Sequence, residues 1–347
     1  MKIGLFDHIE YGERPLATLF DERLTFIQAA DEAGFYCLQL AEHHATPLNM
    51  VPVPGVFLGA VARLTKRIRL GTLVYLLPLY SPLRMLEEIA MLDHLSHGRL
   101  EVGVGRGVSP FELKFHKVEH QDSREIFIDA FNCLSAGLNA KSLTYSGKHY
   151  QYENVPIEMH PLQKPHPAFW YGSSGAEGST WAGEQGMHFV TLGSMKLARQ
   201  NIDTFKAALA KRGSAAQPKA EFPGGAAIGV QRHIFVDDTD EKARAWAKPA
   251  MEAHLKNINW LRSKHGVTGL TTRLNVVRGA TFEECIEEGS VIAGSPATVR
   301  AEIERQVQEL GINYLLTYMF LGTMTMEQAT RSLKLFTSEI MPTVEKM

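Results

Sequence analysis

The sequence predicts a closed (β/α)8 TIM barrel, and three observations carry that expectation. Short apolar runs of strand length alternate with longer segments of helical periodicity, eight times over. Runs such as YCLQL, Tyr36 to Leu40, are apolar without alternation, as strands buried on both faces are. Residues with unusual chemistry gather at the carboxyl ends of those runs, where parallel α/β folds hold their ligands. A doubly wound open sheet satisfies the same periodicity, because pattern alone does not show closure.

The elements follow in order. Ile3 to Phe6 reads as a first strand ending at Asp7 and His8, and Leu16, Leu19, Phe20, Ile27 and Ala30 stripe a helix that Gly34 stops. YCLQL is the second strand, and a helix from Gly55 to Leu64 leads to the third, Ile68 to Val74. Ser81-Pro82 pairs an N-cap residue with proline at the first helical position, opening a helix to about Leu95. Arg99 to Gly105 is the fourth strand. Beyond Gly107 the rhythm loosens into a helix over Asp122 to Leu138 and a hairpin around Ser146-Gly147. AFWYG, ending at Gly172, is the fifth strand, followed by a helix over Ser179 to Gln185. His188 to Leu192 is the sixth, with a helix from Lys196 to Lys211 and a small-residue loop from Gly213 to Gly225. Ala227 to Val236 is the seventh, and a helix begins near Thr239. Asn257 to Gly289 has weak periodicity and reads as a late insertion or lid. Ser295-Pro296 opens a helix closed by Gly311, Tyr314 to Phe320 is the eighth strand, and Leu333, Phe336, Ile340 and Val344 stripe the last helix.

Composition narrows the function. With 347 residues, 45% hydrophobic and 21% charged, the chain has the make-up of a globular protein and reads as one domain, 1–347. A net charge of -2 gives nucleic acid or an anionic membrane no electrostatic draw. Cys37, Cys133 and Cys285 are far apart and odd in number, so neither a disulfide framework nor a cysteine metal site is expected. A reducing compartment follows, and with neither a signal peptide nor a membrane-spanning run in view, a cytoplasmic location.

Three stretches carry the candidate chemistry. Glu42, His43 and His44 crowd ionisable groups onto the end of the second strand, and histidine moves protons near neutral pH, helped by an adjacent carboxylate. The bland alternative is a solvated or packed histidine. A metal is disfavoured: adjacent side chains point apart, and there is no HExxH. GVGRGVS, Gly103 to Ser109, puts Arg106, a fork-shaped donor suited to phosphate or carboxylate, among glycines that let a ligand approach. It is not GxGxxG, and its alternative is a tight turn with a solvated arginine. GSSGAEGST, Gly172 to Thr180, joins hydroxyls and small residues to a helix start, a ready anion site, or else a capped turn. With Arg106 nearby it favours a phosphate-bearing ligand, and Glu177 weighs against one.

AEHH at Ala41 to His44, GTLVYLLPLYSP at Gly71 to Pro82, LDHLSHGRLEVGVGRG at Leu92 to Gly107, AGSPATV at Ala293 to Val299 and RSLKLFTSEIMP at Arg331 to Pro342 resemble, in that order, the bacterial luciferase-like flavin monooxygenases. The resemblance covers nearly the whole chain. It implies a (β/α)8 barrel using reduced FMN and O2 on a small organic substrate, with FMN supplied by a separate reductase and a homodimer as the family habit. Position by position, it implies His43 as the catalytic histidine and Arg106 as the grip on the flavin phosphate. Ser173, Ser174, Gly175 and Ser179 would form the phosphate cradle, and a non-prolyl cis peptide at Leu73-Val74 would support the flavin ring. Asn257 to Gly289 sits where the family carries its lid. Two departures stand out: Gly105 replaces the reactive cysteine of light-emitting members, and Ser174 replaces a glutamate in their phosphate loop. Light emission and a long-chain aldehyde are therefore not expected. Hydride transfer with a deazaflavin, or flavin binding without turnover, are the alternatives known among relatives.

Overall fold

The computed structural model describes residues 1–214, 221–267 and 281–347. Eight strands form its centre: β1 Lys2–Asp7, β2 Cys37–Leu40, β3 Arg69–Thr72, β4 Leu100–Gly105, β5 Phe169–Ser173, β6 His188–Thr191, β7 Ile228–Val236 and β8 Tyr314–Tyr318. Each pairs in parallel with the next, and β8 returns to β1 with Lys2 opposite Tyr314 and Phe6 opposite Tyr318. The ring is closed, so the barrel holds and the open sheet does not. Closure leaves these strands buried on both faces, which is why they read as unbroken apolar runs.

The helices are α1 Leu16–Ala33, α2 Pro54–Leu64, α3 Pro82–Leu95, α4 Pro110–Phe115, α5 Ser123–Gly137, α6 Ala176–Gln185, α7 Met195–Arg212, α8 Asp240–Lys264, α9 Phe282–Glu287, α10 Pro296–Leu310 and α11 Met326–Leu335. Their ends obey the local signals. Gly34 and Gly311 close α1 and α10 in the left-handed conformation, and Ser295 Oγ accepts from the Thr298 amide. Leu333, Phe336, Ile340 and Val344 are all buried as the closing stripe requires.

Several expectations need correction. The third strand stops at Thr72; after the Leu73-Val74 bond, Tyr75–Leu76 rejoins the sheet beside Val104 and Gly105. On α1 the buried side includes Phe26, while Leu16 is 46% exposed at the open first turn. The helix after β5 starts at Ala176, three residues early. A short strand, Val291–Gly294, was not foreseen: it takes the edge of β7 opposite β8, pairing with His233 to Val236 beyond the point where β6 leaves that edge. Its four apolar residues are too few to show a period. The lid expectation, Asn257 to Gly289, falls partly on structure and partly outside it. Asn257 to Lys264 are the last two turns of α8 and Phe282–Glu287 is α9, whereas 268–280 lie outside the described residues. Of the loop expected over Gly213 to Gly225, 215–220 also lie outside them.

Candidate active site

The carboxyl ends of the strands surround a cavity of about 390 Å³. Parallel strands all end on this side, so residues distant in sequence meet at one mouth. His43, Leu73, Val74, Arg106, Ser173, Ser174 and Gly175 all line it. Ser179 does not: it is buried, and its hydroxyl donates to the Gly175 carbonyl at 2.9 Å. Ser173 makes the same contact from the other side, its Oγ donating to Gly175 O at 2.9 Å. The two hydroxyls thereby brace the turn that precedes α6. The amides of the first α6 turn lack intrahelical partners and give the turn its anion-binding character. Glu177 on that turn is paired with Arg124 at 3.0 Å, and both line the cavity. Its charge is thus offset by a cation that α5 brings across.

The Leu73-Val74 peptide is cis. It sits where β4 is stripped of side chains. A Cβ at Gly103 would lie 2.0 Å from the Thr72 carbonyl, and one at Gly105 would lie 2.3 Å from Val74 Cγ2. Glycine is therefore needed for close backbone approach. The departure at Gly105 has a packing reason, since a cysteine there would displace Val74.

Around His43 the local carboxylate is not the partner. Glu42 turns inward, accepts from the Leu76 amide at 3.0 Å and holds His44 Nε2 at 2.8 Å. His43 Nδ1 instead lies 3.2 Å from Glu112 Oε1, and Glu112 Oε2 accepts from the His44 amide at 2.9 Å. Burial would raise the Glu112 carboxyl, but His43 and the His44 amide hold it below its ordinary value. An ionised Glu112 accepts from His43 Nδ1–H and so sets the tautomer of the ring, with Nε2 as its basic nitrogen. Glu112 was missed because α4 is only six residues long, though Ser109-Pro110 repeats the Ser81-Pro82 helix-start signal; Ser109 Oγ accepts the Glu112 amide.

The wall formed by β7, β8 and the end of β1 holds a second histidine group. His8 stacks on His43 with ring centroids 5.4 Å apart and stands 5.7 Å from His254. Burial, then His43 and His254, push the His8 pKa well down, so its ring is neutral. Asp7, expected beside it at the mouth, turns away: it is 3% exposed and accepts from the Ile9 amide, with Arg23 Nε 3.5 Å away. Burial raises its carboxyl to about 6 against the pull of Arg23. His233, His254, Glu10 and Tyr318 were not singled out by sequence, since each is an isolated residue until the barrel closes.

A barrel of this shape, with a phosphate-type turn on β5 and a glutamate-held histidine on β2, agrees with the comparisons. The model of the luciferase-like monooxygenases matches residues 1–314. The chain belongs to that family. It is 34% identical over 344 residues to the protein y4wF of Sinorhizobium fredii, covering 99% of this chain and 97% of that one. It is 26% identical to 2,5-diketocamphane 1,2-monooxygenase 2 of Pseudomonas putida, covering 90% of each. Among solved structures it superposes on the oxygenating constituent of 3,6-diketocamphane monooxygenase of Pseudomonas putida, a complex with FMN, with a TM-score of 0.80, 20% identity and 99% of both chains covered. The family is one of oxidoreductases, and the superposed structure shares this chain's fold. Among the described residues no helix is long and apolar enough to cross a membrane.

Proposed function

We propose that the protein is an FMN-dependent monooxygenase that uses O2 to oxidise a small organic substrate, with reduced FMN supplied by a separate reductase. The observation that carries this reading is a single cavity with an anion-binding end at Arg106, Ser173, Ser174 and Gly175 and a proton-exchanging end at His43. The donor set fits a phosphate: one guanidinium, Ser174 and a helix start, on a turn that the Ser173 hydroxyl braces. The Leu73-Val74 bond, packed closely on the β4 glycines and lining the cavity, offers a flat ring backbone on which to lie. Bound reduced flavin supplies the electrons and the site of oxygen activation.

The chain's own residues do the rest. Arg106 and the β5 turn anchor and orient. His43 exchanges a proton at Nε2 while Glu112 holds Nδ1. Phe6, Leu76, Phe127 and Leu316 keep that exchange in apolar surroundings. Residues 257–289 are proposed as the lid that closes the chamber, and 1–347 as one cytoplasmic domain. A homodimer would cover Val56 and Met91, 76% and 52% exposed on α2 and α3, helices that pack together.

Anaerobic protein mixed with reduced FMN and then with oxygen tests the reading. Return of oxidised-flavin absorbance slower than for free FMN supports an oxygenase; an equal rate favours the deazaflavin or non-catalytic alternative. Arg106→Ala is expected to weaken FMN binding about tenfold to a hundredfold, the loss of one charged hydrogen-bonding anchor. Unchanged affinity in equilibrium titration would remove the phosphate assignment.

A further inference from the structure

β1 ends in a strained turn. Ile9 has a φ of 55°, a conformation that a β-branched residue seldom adopts, and its side chain is buried. Asp7 Oδ1 accepts from the Ile9 amide at 2.7 Å, and the Ile9 carbonyl accepts from the Met50 amide at 2.9 Å, so the bend is held from both sides. Strain of this kind persists where the surroundings enforce it, and it collects at functional sites. Here it sets His8 on the wall of the cavity.

The His8 ring is fixed by the rings around it. Phe6 meets it edge-on at 4.9 Å, Tyr318 stands 5.4 Å away, and His43 stacks on it at 5.4 Å with 27° between the planes. Its Nδ1 is buried and makes no hydrogen bond, so the nitrogen that the chamber reaches is Nε2. The two histidines behind it do not reach in the same way. His254 is engaged at both nitrogens, Nδ1 lying 2.6 Å from Glu10 Oε1 and Nε2 3.2 Å from His233 Nε2. His233 Nδ1 is buried against the Ser290 backbone. Of this group, His8 is the one that turns a ring nitrogen to the chamber.

The His8 ring is neutral, since burial and then His43 and His254 push its pKa well down. A neutral imidazole carries one proton, and a buried N–H without an acceptor is the costlier way to leave Nδ1 alone. The proton then belongs on Nε2, which makes His8 a donor beside the basic His43.

We propose that His8 is a substrate-binding residue, donating from Nε2 to a carbonyl oxygen of the substrate in the part of the cavity next to His43. The group it takes is a neutral carbonyl. A carboxylate would meet the Glu42 and Glu112 carboxylates of the same wall, and a protonated amine offers no acceptor. A hydrocarbon would strip water from Nε2–H without replacing its hydrogen bond, a loss that the site registers against it. Leu48, Ile258, Leu261 and Leu316 line the apolar remainder, where one hydrogen bond counts for more than it does in water. A neutral donor polarises the carbonyl without giving up its proton.

The inference rests on this cavity being the substrate chamber, but its test uses flavin-free protein, so failure of the flavin reading would show separately in the FMN experiment. The probe is 4-(dimethylamino)cinnamaldehyde, whose absorbance moves to longer wavelength when its carbonyl accepts a hydrogen bond. It is expected to bind wild-type protein saturably. In His8→Phe, which keeps the ring stack, the bound spectrum is expected to lie at shorter wavelength and the affinity to fall about tenfold, the loss of one hydrogen bond. His8→Gln, which restores a donor, is expected to return the spectrum toward that of the wild type, whereas a ring with only a packing role would be better replaced by Phe than by Gln. His8→Leu covers the case in which the Phe variant fails to fold. Identical bound spectra in wild type and His8→Phe, a Gln variant that behaves like Phe, a shift lost in His43→Phe but kept in His8→Phe, or no saturable binding would each overturn the proposal.

Discussion

The two ends of the barrel treat buried charge differently. At the amino end, Glu101 on β4 is bonded to Arg69 on β3 and to the Trp170 indole at 2.6 Å. Gln163 donates to the Asp93 carboxylate and accepts from Arg69, both at 2.8 Å or less. At the carboxyl end, His8 Nδ1, His233 Nδ1 and Gln231 Nε2 are buried without partners, although their residues line the cavity. A saturated network fixes strand register; an unsaturated one carries a cost of about 1–3 kcal/mol per group that a ligand can offset. The contrast is one of degree, since Gln39 Nε2 and Arg23 Nε, away from the cavity, are also buried without a hydrogen bond.

The comparison can be broken most sharply at His43. His43→Ala is expected to lower turnover about 10²–10⁴-fold while FMN affinity changes little, as for loss of a group that exchanges protons. Equal losses in rate and affinity would make His43 part of the scaffold. At the amino end, Glu101→Ala leaves Arg69 without its carboxylate and is expected to cost about 3–5 kcal/mol of stability. Urea unfolding measures this, and the protein that remains folded should bind FMN normally; impaired binding would mean the two ends are not separable.

A smaller effect concerns His188, which burial lowers to about 3 and which accepts the Ala227 amide at 2.9 Å as a neutral ring. The unfolded chain binds that proton more readily, so stability rises with pH between the folded and unfolded values. It is complete above the unfolded value and is lost as pH falls, by roughly 2 kcal/mol at about pH 5. His188→Leu is expected to flatten the pH dependence of the urea midpoint by that amount. An unchanged slope would mean that His188 does not titrate on unfolding.

Much of this was legible in the chain. Eight strands were placed within a residue or two, because a parallel barrel buries each strand on both faces and so writes it as an apolar run. Helix starts at Ser81-Pro82 and Ser295-Pro296 and stops at Gly34 and Gly311 are local chemistry and were read locally. Val291–Gly294 and α4 escaped because four and six residues are too short for a period to emerge.

By itself the sequence determined the β/α alternation, the strand ends at which chemistry collects, and the glycines along β4; closure came with the pairing of β8 to β1. Only the tertiary structure decided which charges face each other. Glu42, one residue away, turns from His43, and Glu112, 69 positions on, takes its place. Glu10 meets His254 only because β1, β7 and α8 converge on the same rim. Adjacent residues on an extended chain point to opposite sides, whereas closing a ring of parallel strands brings all their ends to one mouth.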